Sequence, residues 1–503
     1  MAGPVAWRAV RLHPVLESIL VAGAAAVLGL GLAVGLPLDG LGPAGPAIAA
    51  AVAIAALFAW RPVEGLVAFA TVVLLADTVE YWTGADLRYV DEVSLLLIGA
   101  VAVAVHRRAL SVPPAGWREV ALAGLFLAGL VSSLVNGVPA SIWIPGLALL
   151  AKGFAFFYLV TSLPIDMDGV RRIVGSLLVV GLVIVAIGLV EFLAPQLAGS
   201  LGVPTFRQQR GSLEVVTSLF THPALYGWLA AVLSLVLVAR FVERRDWWAL
   251  PLAVLVGGAS LLSGRRTPLI GLFAGLAVGA LRRAAWRRGA ARVWGAVALG
   301  ILVIVLVSLP ALGSFYQGTL KDYFGSSEAI GEVFAEDPDS RIIRPLQARV
   351  ALYAGSLAVA RDEFPLGAGI GRFGSHMSRD QYSPVYAAYG LDRVHGLRER
   401  QPTAVTDTFW PMILGESGIL GLIAVAAFFA LLGRDLWRAA APVGSVGERA
   451  FALGALLVYT EALVRSAGSS VFVAPPVAYW VFGAAALSLA LRRHGAAATS
   501  TGT

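Results

Sequence analysis

The sequence predicts an all-α polytopic membrane protein with about 12–14 transmembrane helices and one large extracytoplasmic loop containing amphipathic helices. Three observations predict it. Hydrophobic residues make up 58% of the 503 residues and charged residues only 14%, against about 25% charged in a soluble domain, and mean hydropathy is +0.80. Apolar runs close to the ~20 residues that cross a bilayer as a helix recur from end to end. Basic residues in the short loops alternate between rich and poor segments, the pattern of a chain with a fixed orientation in a membrane.

Taken in order, the spans read 16–36, 45–60, 62–77, 92–107, 119–136, 142–163, 170–193, 223–242, 247–263, 267–281, 293–312, 408–432, 449–466 and 472–491. The first follows "MAGPVAWRAVRLHP" and has no small-residue cleavage site after it, so it reads as a retained span and not a signal peptide. Several are short and are expected to tilt or extend. Three parts follow: an N-terminal bundle (1–312), a long loop (313–407), and C-terminal spans with a short tail (408–503).

One set of alternate short segments carries 21 arginines, including Arg107, Arg108, Arg282 and Arg492; the other carries Arg88, Arg207, Arg210, Arg265, Arg266 and Arg465. The positive-inside rule puts both termini in the cytoplasm and the long loop outside. This topology accounts for the net charge of +7 without nucleic acid as a partner. The absence of cysteine excludes disulfides and thiolate metal sites.

Arg265 and Arg266, in "LLSGRRTPLIGL", then stand at the tip of a hairpin on the side where short loops carry few arginines. One reading is plain solvation or lipid-headgroup contact, the other a binding site. The long loop is mixed in charge, and within it "PLQARVALYAGSLAVARDEF" reads as an amphipathic helix with Leu346, Val350, Tyr353, Leu357 and Ala360 on the face laid against the bundle or the membrane interface. "PLGAGIGRFGS" follows as a glycine-rich turn where backbone can approach a ligand closely. The same side gathers Arg207, Arg210, His222, Arg349, Arg361, Arg372, His376, His395 and Asp407. Converging guanidiniums suit a di-anion such as a pyrophosphate, because they bind its oxygens in pairs, stay charged at any physiological pH and need no metal. His222, His376 and His395 have no metal-ligand spacing. No G-x-S-x-G elbow is present, and "GAGIGRFG" follows no strand, so neither a metal centre, a serine nucleophile nor a dinucleotide cofactor is expected.

Four stretches in order resemble the O-antigen ligase and O-antigen polymerase family of bacterial integral-membrane glycosyltransferases: "RGSLEVVTSLFTHPALYGWLA", "LLSGRRTPLIGL", "QARVALYAGSLAVARDEFPLGAGIGRFG" and "DTFWPMILGESGILGLIAVAAF". They cover roughly residues 205–430. The resemblance implies a GT-C-like bundle in the bacterial cytoplasmic membrane. It implies inverting, metal-independent transfer of a glycan from a polyprenyl-pyrophosphate donor to a glycan or lipid-linked acceptor hydroxyl at the outer face, with no cofactor. Arg210 and Arg265 fall at the family's pyrophosphate-binding arginines, with Arg266 as an extra neighbour; Arg349, Arg372, His222 and Glu416 are further substrate-binding candidates of the same face, and His222 reads equally as a turn before a helix. Many members carry a His-Asn pair where this chain has Thr406-Asp407. The general base is therefore Asp407 first, His395 second and His376 third. Asp407 also reads as an N-cap of the span that follows, and Glu416 either pairs with an arginine or braces the loop. Ligase and polymerase share these motifs. A lipid-glycan flippase or other transporter is the alternative, though it is expected to carry internal repeats and a charged central cavity, and neither is evident.

Overall fold

The computed structural model describes residues 14–21, 23, 44–200, 209–210, 213–284, 345–441 and 444–500. The expected span 293–312 and most of 16–36 lie outside the described residues. The chain is an all-α polytopic membrane protein. Among the described residues, seven helices are long and apolar enough to cross a membrane, and Gly45–Trp60 and Ala249–Ser263 are shorter apolar helices. The chain forms two compact units, Met1–Leu110 with Leu163–Val183, and Ser111–Ser162 with Ile184–Thr503.

The first unit is built from α1 (Gly45–Trp60), α2 (Pro62–Thr83), α3 (Val90–His106) and the first part of α6 (Met167–Leu193). Arg61 precedes a proline, a position that disfavours helical backbone, so α1 stops there and Pro62 opens α2. Glu64 is buried in this unit and is held by Arg172 Nη1 at 2.6 Å and Ser18 Oγ at 3.2 Å.

The second unit contains α4 (Trp117–Val135), α5 (Ala140–Ser162), the end of α6, α7 (Pro195–Ser200), a two-residue hairpin of β1 (Gln209–Arg210) and β2 (Leu213–Glu214), α8 (Pro223–Arg244), α9 (Ala249–Ala259) and α10 (Arg266–Ala284). It continues with α11 (Pro345–Asp362), α12 (His376–Asp380), α13 (Val385–Ala388), α14 (Trp410–Ala439), α15 (Val446–Arg465) and α16 (Val477–Ser500). Helix α8 is the most enclosed of the seven candidate spans, and its charged residues Arg240, Glu243 and Arg244 are confined to its C-terminal end. Phe154, Phe428, Phe429, Phe472 and Phe482 interlock from α5, α14, the segment before α16 and α16 itself.

Residues 348–405 form a small core of their own: Ala348, Leu352 and Val359 of α11 pack with Phe373, Tyr386, Leu391, Leu397 and Val405. The helix expected at 345–362 is present, but it packs through the other face. Val350, Tyr353 and Leu357 are 38%, 37% and 62% exposed, while Ala348, Leu352, Ser356 and Val359 are buried. Only Ala360 of the expected face is buried among its described side chains. The two stripes lie about 125° apart around the helix. Both are apolar enough to satisfy the periodicity, and the one with small Ala348 and Ser356 permits the closer approach.

Helix α14 is broken at Gly418 (φ 64°, ψ −161°). The chain at 365–367 presses into the break, so that a Cβ at Gly418 would collide with the Pro365 carbonyl and the Leu366 backbone. That backbone is then hydrogen-bonded inside the bundle. Ala368 and Gly369 N–H donate to the Gly415 and Glu416 carbonyls at 2.8 and 3.0 Å, Ile370 N–H donates to Ser133 Oγ at 2.9 Å, and Asn136 Nδ2 donates to the Gly367 carbonyl at 2.7 Å. Irregular backbone at such depth is tolerable only where protein groups satisfy it.

Candidate functional site

Four of the sequence-derived residues meet at one end of the second unit, where α8, α10 and α14 begin and α15 ends. His222 is extended (φ −136°, ψ 126°) before Pro223, and its Nδ1 accepts the Ala224 N–H at 3.2 Å, capping α8. The chain from the hairpin reaches the same place: Val216 N–H donates to the Leu262 carbonyl at 2.9 Å, and the turn at Ser263–Gly264 delivers Arg265. Arg265 Nη2 lies 3.2 Å from His222 Nε2. With Nδ1 accepting a backbone N–H, the proton of a neutral imidazole belongs on Nε2. Two donors then face one another across this contact.

Arg349, one turn into α11, donates from Nη2 to Asp407 Oδ2 at 3.1 Å. Both side chains are about one-third exposed or less. Burial raises the Asp407 carboxyl above its ordinary range, and the charges of Arg349 and then Arg265 oppose that rise. Arg265 thus acts on both His222 and Asp407. Asp407 is not the cap of α14: that helix starts at Trp410, after Phe409, with no side-chain cap. The carboxylate is engaged by Arg349 instead, which leaves its other oxygen for chemistry. Trp410 Nε1 donates to Ser466 Oγ at 2.9 Å and Tyr353 OH to the Ala467 carbonyl at 2.8 Å, fixing α11 and the start of α14 on the end of α15. The beginnings of three helices add positive potential at this end of the unit.

The other candidates are placed as follows. Arg266 opens α10 and is exposed, so the doublet diverges and only Arg265 turns inward. Arg210 is in β1; its side chain lies outside the described residues. Glu416 is the brace and not an arginine partner: it is buried in α14, and its Oε1 accepts the N–H groups of Gly371 and Phe373 at 2.9 and 3.1 Å. The glycines of the loop thus serve a close approach to helices. Gly367, Gly369 and Gly371 have φ of 73°, 97° and 81°, and a Cβ on them would meet Gly415, Val138 and Ile142. Arg372 belongs to this loop and is half-buried. His376 begins α12 behind the Ser375 cap. Burial lowers its pKa, Arg379 and Lys152 lower it further, and Asp380 opposes them. His395 sits in a turn with Nδ1 buried and unbonded among the described residues. Neither histidine has a hydrogen bond or ion pair with the Arg265–Asp407 group among the described residues.

Sequence reading overlooked Ser132, Ser133 and Asn136, which hold the glycine loop from α4. Their signal was a polar cluster, "SSLVNG", closing an otherwise apolar span.

What the four-residue group can do chemically is hold an anion between guanidiniums with a carboxylate beside it. No known protein-family model matches the chain, and no curated protein is significantly similar to it.

Proposed function

We propose that this chain is a membrane glycosyltransferase of the O-antigen ligase or polymerase kind. It takes a glycan from a polyprenyl pyrophosphate at the outer face of the bacterial cytoplasmic membrane and passes it to an acceptor hydroxyl. The observation that carries this reading is the meeting of Arg265, His222, Arg349 and Asp407, drawn from four separate segments, at one end of an apolar bundle. In the reaction, the acceptor oxygen forms a bond to the anomeric carbon. The bond from that carbon to the phosphate oxygen breaks, the electron pair leaves with the pyrophosphate, and the acceptor's proton passes to Asp407. Charge builds on the leaving group as the bond breaks. Fixed guanidiniums placed there stabilise the transition state more than the ground state. Arg265 and the His222 Nε2–H are donors for that charge, and Arg349 adds a second guanidinium to the diphosphate while its Nη2 orients Asp407 as base.

The test uses purified protein and a polyprenyl-pyrophosphate saccharide in detergent. Release of polyprenyl pyrophosphate with transferred or lengthened glycan is the expected result. No turnover, with movement of the lipid-linked glycan across liposomes, would make the protein a flippase.

A further inference from the structure

Beneath the arginine group lies an ion pair that the reaction above does not use. Glu461 and Arg465 are one turn apart on α15, with Arg465 Nε 3.4 Å from Glu461 Oε1 and side chains 0% and 5% exposed. The Arg465 guanidinium lies over Trp228 of α8, 5.7 Å from the ring centroid. Neither Glu461 oxygen, nor Arg465 Nε, nor Trp228 Nε1 has a hydrogen-bond partner among the described residues. A buried ion pair offsets its lost hydration only when hydrogen bonds complete it, so this pair is poorly suited to a purely structural role.

Its position suggests another use. Helices α10 and α15 run antiparallel: Gly275 lies against the Leu457 carbonyl, Gly271 against Glu461, and Thr267 against Gly468. On that register Arg465 is about level with Thr267, two residues from Arg265. A Cβ on Gly468 would lie 3.7 Å from Thr267 Cγ2 and 3.9 Å from Arg349 Nη1. The Arg465 backbone therefore stands about one turn of helix, ~5 Å, from the arginine group. Its guanidinium is turned back toward Glu461, the direction in which helical side chains lean.

We propose that Arg465 is a movable further cation of the anion site, held back by Glu461 in the empty protein and drawn to the ligand when a diphosphate binds. Glu461 is then a competitor for the guanidinium, and it sets how readily the site closes on its anion. This rests on the diphosphate reading of the Arg265 group.

The test is a double-mutant cycle on the purified full chain, titrated with inorganic pyrophosphate by calorimetry, with thermal unfolding followed in parallel. Glu461→Gln should bind pyrophosphate more tightly than the parent. Arg465→Gln should bind about tenfold more weakly, the scale of one hydrogen bond to a charged group. The double variant should bind no more tightly than Arg465→Gln. If Glu461→Gln gains nothing, or if the two effects simply add, the pair is a structural brace and the proposal is overturned while the anion site stands. If Arg465→Gln fails to fold, Glu461→Gln decides alone, since it leaves the guanidinium in place. If the parent binds no pyrophosphate, or Arg265→Ala leaves its affinity unchanged, both the site reading and this proposal fail.

Discussion

The Arg265 group and the Glu416 loop make an instructive pair. Each combines charged residues with a glycine-bearing turn, and each joins segments far apart in sequence. At Glu416 the polar groups are turned on each other: backbone amides fill the carboxylate, and Ser132, Ser133 and Asn136 complete the loop. At Arg265 the contacts are between side chains, a donor faces a donor, and a carboxylate keeps one oxygen unengaged by Arg349. A carboxylate closed by backbone amides makes scaffold, whereas guanidiniums gathered beside a partly exposed carboxylate from separate segments suit an anion.

Substitutions can break or sharpen that contrast. The largest expected effect is on chemistry at the open site. Arg265→Ala should cut transfer by about 10²–10³-fold, the range for removing one preorganised donor to developing negative charge, with an unfolding temperature close to the parent's. Asp407→Asn should reduce turnover strongly while leaving donor binding nearly intact, because the amide cannot take the acceptor proton. Activity of the parent should fall as pH drops through the Asp407 pKa. Because burial raises that pKa and the base must be ionised, this acid limb should lie above the ordinary aspartate value, and a pH–rate profile checks it.

At the closed site the expected effect is on the fold. Glu416→Ala strands two buried amides at about 1–3 kcal/mol each, and Glu416→Gln should recover most of that loss because its amide oxygen still accepts; thermal unfolding of the two variants tests this. The smallest effect is expected at His376. Burial depresses its pKa, which favours the neutral ring, and it makes no hydrogen bond or ion pair with the arginine group among the described residues. His376→Gln should change transfer only slightly, and a large loss would move the base to that histidine.

Much of this architecture was legible in the sequence. The span read at 45–60 matches α1, and those at 170–193, 223–242 and 408–432 fall on α6, α8 and α14, because apolar runs bounded by proline, glycine or charge leave few alternatives. Arg265 could be singled out, since it stands in the set of short segments that carry few arginines, and Arg349, His222 and Asp407 as polar residues of stretches read to the same side. Their partners could not. Whether Asp407 meets Arg349 or caps its own helix depends on how α11 docks, and the periodicity of α11 fits two faces equally. Nor could the role of the glycine run be read, because close backbone approach is the same requirement whether the visitor is a ligand or a neighbouring helix.

The most direct measurement is equilibrium binding of a polyprenyl diphosphate to the parent and to the Arg265→Ala/Arg349→Ala double variant, both checked for folding. Tight binding by the parent and a loss of about a hundredfold in the variant, the scale of two charge-assisted hydrogen bonds, is the expected result. Equal affinity in the two proteins would contradict the claim that these guanidiniums grip the lipid diphosphate.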